Sequence, residues 1–184
     1  MKHGFIKVAA ASPMIRVADA DYNADRVIEC MESAAKKGVK LLVFPELTLT
    51  GRCYDLISHR VLLDGARDAL VRILDYSKNV DMLCFVGLPY AAGSRLYSVA
   101  AAVYAGELLG LVPQQCVSDP HFALPGDEAI EVSVGEYESF LSTGVLFRNP
   151  LIEGLNVAVE LGGDLDAVCE PAISHAVAGA TVIA

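Results

Sequence analysis

The 184-residue chain predicts a layered α/β domain, and three features of the sequence support that prediction. Apolar runs of strand length alternate with amphipathic segments of helical period through the first half of the chain. The resulting order of strand, helix, strand, helix and strand, followed by paired strands, is typical of a sheet covered by helices. Hydrophobic residues make up 54% of the chain and charged residues 20%, which argues against disorder. The length predicts one domain over residues 1–184.

The first elements follow from periodicity and from the residues at their ends. Phe5–Ala11 is a β-like run that closes before Pro13. The next helix begins near Asp19, an N-cap candidate, and ends at Gly38, which suits a left-handed C-cap. Its apolar stripe consists of Val27, Ile28, Met31, Ala34 and Ala35. Val39–Phe44 is almost wholly apolar and predicts a strand that is buried on both faces.

The middle of the chain continues the alternation. Val61–Lys78 predicts a second helix, and Met82–Gly87 predicts another buried strand. Leu96–Tyr104 and Glu107–Val112 are separated by Ala105-Gly106, which predicts a hairpin.

The last third of the chain is less regular. Periodicity is lost from Cys116 to Gly135, where prolines and glycines predict a long loop. A short helix is predicted at Pro171–Ala178, with Gly179 as its C-cap. Later strands are predicted at Val145–Phe147, Leu155–Leu161 and Thr181–Ala184. Because the chain ends inside an apolar strand that needs a neighbour, we expect an incomplete C-terminus that seeks a partner.

Charge is distributed unevenly along the chain. Residues 1–116 contain 12 acidic and 13 basic side chains, whereas residues 117–184 contain 11 acidic side chains and one basic side chain, Arg148. The net charge of −9 argues against a nucleic-acid partner, because phosphate backbones are bound by clustered lysine and arginine. Within the acidic segment, Arg148 is the only candidate for binding an anionic ligand.

Cysteine usage and hydropathy predict a cytoplasmic protein without a membrane segment. The five cysteines are odd in number and form no C-x-x-C pair, which favours a reducing compartment. No apolar stretch is long enough to cross a bilayer. His3, His59 and His121 have no partner at metal-ligand spacing, and no glycine-rich phosphate loop is present. The sequence therefore predicts neither a metal nor a cofactor.

The sharpest local motif is Val43-Phe44-Pro45-Glu46-Leu47, followed by Thr50-Gly51. A buried strand here delivers the Glu46 carboxylate at its C-terminal end, where ligand crevices of α/β sheets lie. Position alone leaves two interpretations open. Glu46 is either a general base or a solvated carboxylate at the end of a strand.

This motif resembles the first signature of the nitrilase superfamily of carbon–nitrogen hydrolases. More narrowly, the chain resembles the N-terminal glutaminase domain of the glutamine-dependent NAD synthetases. The matching stretches run in the family's order and cover most of the chain except roughly residues 117–145. The resemblance implies an αββα four-layer sandwich that lacks its last strands and helices and the C-terminal synthetase domain. It also implies a small, glutamine-like amide substrate and a homo-oligomer. The matching stretches are Gly4–Ala11, Gly38–Gly51, Asp55-Leu56, Val86–Pro89, Leu96–Ala100, Gly110–Pro113 and His175–Ile183.

The family mechanism that the resemblance implies uses a glutamate base, a lysine that stabilises the oxyanion and a cysteine nucleophile. Glu46 matches the base. Gln114 stands at the lysine position and Gly162 stands at the nucleophile position. Three pocket positions of the family are also substituted, namely Gly163, Asp166 and Pro120. Since glycine cannot form a thioester, we expect the family mechanism to be absent.

The sequence thus predicts an inactive relative of the glutaminase domain, with two alternatives. One is a regulatory or scaffolding pseudoenzyme that binds an active synthetase or retains an amide ligand. The other is a weak amide hydrolase in which Glu46 activates water and Gln114 donates a hydrogen bond. Cys116 and Cys169 are candidate replacement nucleophiles, although an incidental loop thiol and a packed thiol are the favoured interpretations. Cys53 is interpreted as loop structure and His175 as a hydrogen-bonded structural histidine.

Overall fold

Three helices and ten strands make up the fold in a computed structural model that describes residues 5–168 and 170–184. The predictions for His3 and Cys169 therefore lie outside the described residues. The helices are α1 (Ala20–Lys36), α2 (Arg60–Ser77) and α3 (Pro171–Val177), and a 3₁₀ turn covers Gly162–Asp166. The strands are β1 (Val8–Ala10), β2 (Leu41–Val43), β3 (Leu83–Ala92), β4 (Arg95–Tyr104), β5 (Glu107–Pro113), β6 (Ile130–Val134), β7 (Tyr137–Leu141), β8 (Phe147–Arg148), β9 (Asn156–Ala158) and β10 (Val182–Ile183).

The strands form two sheets. The larger has the order β1-β2-β3-β4-β5-β7-β6, and the smaller has the order β10-β9-β8. β1, β2 and β3 are parallel, whereas β4 runs antiparallel to both β3 and β5. β2 and β5 therefore end at the same edge of the larger sheet. This topology brings the residues after β2 close to those after β5.

Helices α1 and α2 cover one face of the larger sheet with their apolar stripes. Val27 of α1 and Leu70 of α2 are buried in one core with Leu88 of β3. The Asp19 side chain accepts a hydrogen bond from the backbone nitrogen of Tyr22 at 3.1 Å, as the predicted N-cap requires. Gly38 has a φ of 72°, the left-handed conformation expected after the helix. In the described part of the chain, no helix is both long enough and apolar enough to cross a membrane.

The smaller sheet packs on the opposite face of the larger one. Phe85 and Val112 of the larger sheet share a core with Phe147 and Val157 of the smaller sheet. The rings of Phe85 and Phe147 meet edge to face, with their centroids 5.3 Å apart. The helix–sheet–sheet layering, with α3 connecting the parallel strands β9 and β10, confirms the predicted layered α/β fold.

The prediction of an unbroken loop from Cys116 to Gly135 is wrong. β6 and β7 form a hairpin around Gly135, and β7 joins β5 through the parallel pair Leu111 and Leu141. Prolines and glycines before residue 127 dominated the sequence pattern, although apolar residues already alternate from Ile130 onward. The predicted strand Met82–Gly87 is also too short, because β3 extends to Ala92 and forms a second hairpin with β4.

Candidate functional site

An open cavity of about 410 Å³ lies where the residues after β2 and β5 meet the 3₁₀ turn. Glu46 follows β2, Gln114 follows β5, and Gly163 belongs to the turn; all three line the cavity. The remaining wall comes from Leu47, Arg52, Tyr54 and residues 118–122, among which is Pro120. The structure therefore brings Glu46, Gln114, Pro120 and Gly163 together at one site.

Glu46 is held by polar partners on both of its carboxylate oxygens. Its Oε1 accepts a hydrogen bond from the Ser98 hydroxyl at 2.7 Å, and its Oε2 accepts one from Arg52 Nη2 at 3.1 Å. The Glu46 side chain is 14% exposed, whereas that of Arg52 is 63% exposed. The carboxylate is thus a partly buried acceptor whose charge is balanced by a guanidinium at the cavity wall.

Gly87 of β3 allows the turn that carries Glu46 to approach the sheet. A Cβ at this position would lie 2.4 Å from the Pro45 carbonyl oxygen and 2.6 Å from the Leu47 nitrogen. Leu49 closes the turn by donating its backbone N–H to the Gly87 carbonyl at 3.1 Å. A side chain at position 87 would displace the turn and with it the Glu46 carboxylate.

Gly162 lies directly against Glu46 and Gln114. A Cβ built on Gly162 would lie 2.7 Å from Glu46 Oε2 and 3.1 Å from Gln114 Nε2. Gly162 has a φ of +44°, a conformation that side-chain-bearing residues rarely adopt. Gln114 is buried and donates its amide hydrogen to the Leu161 carbonyl at 3.4 Å. The positions assigned from the sequence to the base, the lysine and the nucleophile therefore converge.

Asp164 fixes the 3₁₀ turn to the segment after β5. Its side chain is 1% exposed, and Oδ1 accepts hydrogen bonds from the backbone nitrogens of Gln115 at 2.9 Å and Cys116 at 2.7 Å. Oδ2 accepts a third from the Leu161 nitrogen at 3.1 Å. Sequence reasoning passed over this residue. Its signal was an aspartate in the first turn of a short helical segment, where a carboxylate accepts backbone N–H groups.

One side of the cavity is formed by a stacked aromatic pair and a hydrogen-bonded pair. The rings of Tyr54 and His121 stack with their centroids 5.6 Å apart, and His121 Nδ1 lies 2.8 Å from Asp119 Oδ1. Partial burial raises the pKa of Asp119, but hydrogen bonds from His121 outweigh it and the net pKa is lowered. The charge of Glu46, followed by contact with the Tyr54 hydroxyl, raises the pKa of Arg52. Arg52 therefore stays protonated beside the carboxylate.

Comparison with known proteins is consistent with this architecture. The carbon-nitrogen hydrolase family model matches residues 7–112, more than half of the chain. The chain belongs to the carbon–nitrogen hydrolase family. This confirms the resemblance inferred from Phe44-Pro45-Glu46-Leu47.

The curated relatives of this carbon–nitrogen hydrolase domain are glutamine-dependent NAD(+) synthetases. The protein of Mycobacterium tuberculosis is 31% identical over 100% of this chain, and that of Mycobacterium leprae is 29% identical over 98% of it. Each match covers 28% of the relative, so the chain spans less than a third of the length of these synthetases.

Solved structures confirm the nitrilase-like fold. A glutamine-dependent NAD(+) synthetase from Cytophaga hutchinsonii superposes with a TM-score of 0.79 at 19% identity, covering 97% of this chain and 30% of that chain. A mutant of the Nesterenkonia AN1 amidase from the nitrilase superfamily superposes with a TM-score of 0.71 at 18% identity, covering 100% of this chain and 65% of the amidase.

Other residues singled out from the sequence do not line the cavity of this carbon–nitrogen hydrolase domain. Asp166 is exposed and does not line it, and neither does the exposed Arg148 of β8. Cys116 does not line it either; its backbone carbonyl oxygen would lie 2.9 Å from a Cβ on Gly163. Cys53 packs with Leu47, and burial raises the pKa of its thiol. Among the lysines and arginines that the structure describes, Arg52 lines the cavity and Arg148 does not, and sequence reasoning missed Arg52.

His175 is buried, as its structural interpretation requires. Its Nε2 has no hydrogen-bond partner among residues 5–168 and 170–184. Within the same residues, no group of three or more His, Cys, Asp and Glu side chains is placed to hold a metal ion.

Proposed function

We propose that this chain is a single glutaminase-type domain that does not hydrolyse amides by the covalent route of its family. The observation that carries the proposal is the position of Gly162 beside the Glu46 carboxylate, with 2.7 Å between Oε2 and a Cβ built on the glycine. The family route needs a thiolate at that point, and glycine provides no side chain. Glu46 therefore has no thiol proton to accept there.

The substitution at position 114 also argues against amide hydrolysis by the family route. Gln114 Nε2 reaches the space beside Gly162 and can donate a hydrogen bond, but it carries no charge. Developing negative charge in an acyl-transfer transition state is stabilised most strongly by charged or multiple preorganised donors. Because the members of a catalytic triad act as a unit, loss of the nucleophile removes most of the rate that the others supply.

The main catalytic alternative is a weak hydrolase in which Glu46 activates water. Ser98 and Arg52 already donate hydrogen bonds to the two oxygens of this carboxylate. Each oxygen of the carboxylate is therefore already used as a hydrogen-bond acceptor, which leaves fewer lone pairs to orient an attacking water. These contacts favour a carboxylate that binds a ligand over one that activates water.

Ammonia release from L-glutamine tests the proposal. We expect the wild-type chain to release no more ammonia than Glu46→Ala, measured over hours at high protein concentration. Variants in which each cysteine is replaced by serine serve as controls for a substitute thiol. Release that disappears in Glu46→Ala and persists in every cysteine variant would establish the water-activating hydrolase instead.

A second candidate function is a scaffolding role, and an apolar surface around α3 favours it. Ile173 and Val177 lie one turn apart on α3 and are exposed, as are Leu165 and Val168 just before the helix. Large exposed apolar patches mark protein interfaces. We propose that such a subunit binds an active synthetase or a second copy of this chain. Pull-down and size-exclusion experiments test it, and the absence of any complex at micromolar concentration would refute it.

We also propose that the domain works in the cytoplasm. The thiols of Cys53 and Cys84 are buried and not disulfide-bonded, and burial raises the pKa of Cys84 to about 12. Such thiols behave as small apolar core groups, which suits a reducing compartment.

A further inference from the structure

Position 114 carries no charge, but a positive charge is present at the cavity and comes from a different part of the chain. Among the described residues that line the cavity, Arg52 is the only lysine or arginine. It lies on the turn after β2, only six residues beyond Glu46, whereas Gln114 follows β5. The cavity therefore retains a permanent positive charge although the lysine position is neutral.

Arg52 and Gln114 direct donors toward the same small space. Arg52 Nη2 contacts Glu46 Oε2 at 3.1 Å, and that same oxygen lies 2.7 Å from a Cβ built on Gly162. Gln114 Nε2 lies 3.1 Å from the same Cβ position. Besides Glu46, Arg52 contacts the Tyr54 hydroxyl at 3.5 Å through Nη1. A guanidinium has five N–H donors, so these contacts leave donors for a ligand.

We infer that Arg52 has taken over the charge of position 114 and, together with Gln114, binds the oxygen of a small amide or carboxylic acid beside Gly162. This inference rests on the proposed function, because it treats the cavity as a binding site in which no bond is made or broken. The competing interpretation is that Arg52 and Glu46 form an ordinary surface ion pair. Such a pair contributes little to stability, and its loss would not change the affinity for a ligand.

The two ligand classes differ in how they meet Glu46. A primary amide donates its N–H to Glu46 Oε2 while its carbonyl oxygen accepts from Gln114 and Arg52. A carboxylate would place a second negative oxygen against Glu46 Oε2, which desolvation in the cavity makes unfavourable. We therefore expect the amide to bind more tightly than the acid.

Titration calorimetry with L-glutamine and with L-glutamate tests the inference on four variants of the full chain. Arg52→Gln should weaken binding about tenfold or more, the usual range for a lost charged hydrogen bond. Arg52→Lys should stay within about fivefold of wild type, because it keeps the charge. The double variant Arg52→Gln with Gln114→Lys should bind within about threefold of the wild-type affinity, because a lysine at position 114 restores the positive charge from the other wall of the cavity. The control, Arg60→Gln, removes an exposed arginine on α2 that does not line the cavity.

Thermal unfolding of each variant confirms that the fold is retained. The inference is overturned if wild type binds neither compound at about 10 mM, if Arg52→Gln binds like wild type, or if the double variant stays as weak as Arg52→Gln. Equal weakness of Arg52→Lys and Arg52→Gln would also overturn it, because charge would then not be the cause. Ammonia release would refute the proposed function and leave the binding comparison standing, so the two failures are distinguishable.

Discussion

The two parts of the chain on either side of Pro113 differ in how they are built. Up to Pro113, β1 and β2 have three residues each, but β3 and β4 have ten each and β5 has seven, and two helices seal one face of the sheet. Beyond it the strands that the structure describes are shorter, with five residues each in β6 and β7, three in β9 and two each in β8 and β10. The family match ends at residue 112, and every substituted catalytic or pocket position lies after it. The substituted positions therefore lie beyond the long strands, whereas Glu46 and Arg52, which also line the cavity, belong to the first part.

The physical reason is that the two parts depend on different interactions. The first is held by apolar burial, in which residues such as Val27 and Leu70 are completely inaccessible. The second has few buried apolar residues near the cavity, and the 3₁₀ turn is held there by the three backbone hydrogen bonds to Asp164. Substitutions at the surface of the second part should therefore cost the fold little, whereas we expect Asp164, which accepts these three hydrogen bonds, to be essential to the geometry of the cavity.

The largest expected effect tests this dependence on Asp164. Asp164→Ala removes the acceptor of three backbone hydrogen bonds, one buried and two partly buried, which should lower the free energy of unfolding by about 3 kcal/mol. Asp164→Asn keeps one oxygen and should cost less. Urea denaturation measures both. The control, Asp166→Ala, lies in the same turn but is exposed and should change stability by less than about 0.5 kcal/mol. If the two alanine variants unfold alike, the turn is not held by Asp164.

A smaller effect is expected from rebuilding the family residues. Gly162→Cys with Gln114→Lys should not recover full glutaminase activity, because Gly163, Asp166 and Pro120 also differ from the family pattern. The structure adds a reason, since the new Cβ would meet Glu46 Oε2 at 2.7 Å and the backbone φ is +44°. Left-handed backbone at a non-glycine residue costs about 1–2 kcal/mol. Ammonia release and thermal unfolding of the double variant measure both consequences.

Gly144→Cys is the matched control for the strain. A Cβ on Gly144 meets nothing within 4 Å, and its φ is not in the left-handed region, so the same residue change should leave stability nearly unchanged. Robust glutaminase turnover by the double variant would show that the pocket is intact and that two residues alone separate it from an active site.

The sequence sufficed to predict most regular elements of the first part, and the family resemblance singled out three positions that the structure places side by side. Caps and periodicity placed α1 and α2 within a few residues, because both signals are local. The convergence of Glu46, Gln114 and Gly162 followed from the family resemblance, and the parallel ends of β2 and β5 explain it. The β6–β7 hairpin was missed because prolines and glycines before residue 127 masked its local alternation, and its pairing with β5 joins the distant residues Leu111 and Leu141.

Arg52, Ser98 and Asp164 could not be predicted because their roles depend on packing. Arg52 is one of 14 basic residues, and nothing in the sequence distinguishes it from the others. Its role depends on the turn after β2, which places it against Glu46. Ser98 lies in an apolar strand, and only its register opposite Pro89 brings its hydroxyl to the carboxylate. Side-chain partners of this kind are set by tertiary structure rather than by local pattern.

The smallest expected effect is the pH dependence of stability, which we expect to have opposite signs for a group in each of the two parts of the chain. Hydrogen bonds from Lys40 and then from Tyr104 lower the pKa of Asp81, which precedes β3. Burial raises the pKa of Glu160, after β9; nearby Asp164 and Glu170 add to this and His175 opposes it. Glu160 Oε1 is also buried without a hydrogen-bond partner among the described residues. The ionised form is therefore favoured by folding at Asp81 and disfavoured at Glu160.

These shifts give opposite contributions to stability. Asp81 stabilises the fold above its unfolded pKa near 3.8, and this contribution is lost as pH falls through the lowered folded value. The contribution of Glu160 instead declines as pH rises from its unfolded pKa near 4.5 through the raised folded value. At pH 7, Asp81→Asn should therefore lower the Tm and Glu160→Gln should raise it, each by about 1–3 °C. Both differences should shrink below pH 4, and Tm shifts of the same sign in calorimetry would contradict the assignment.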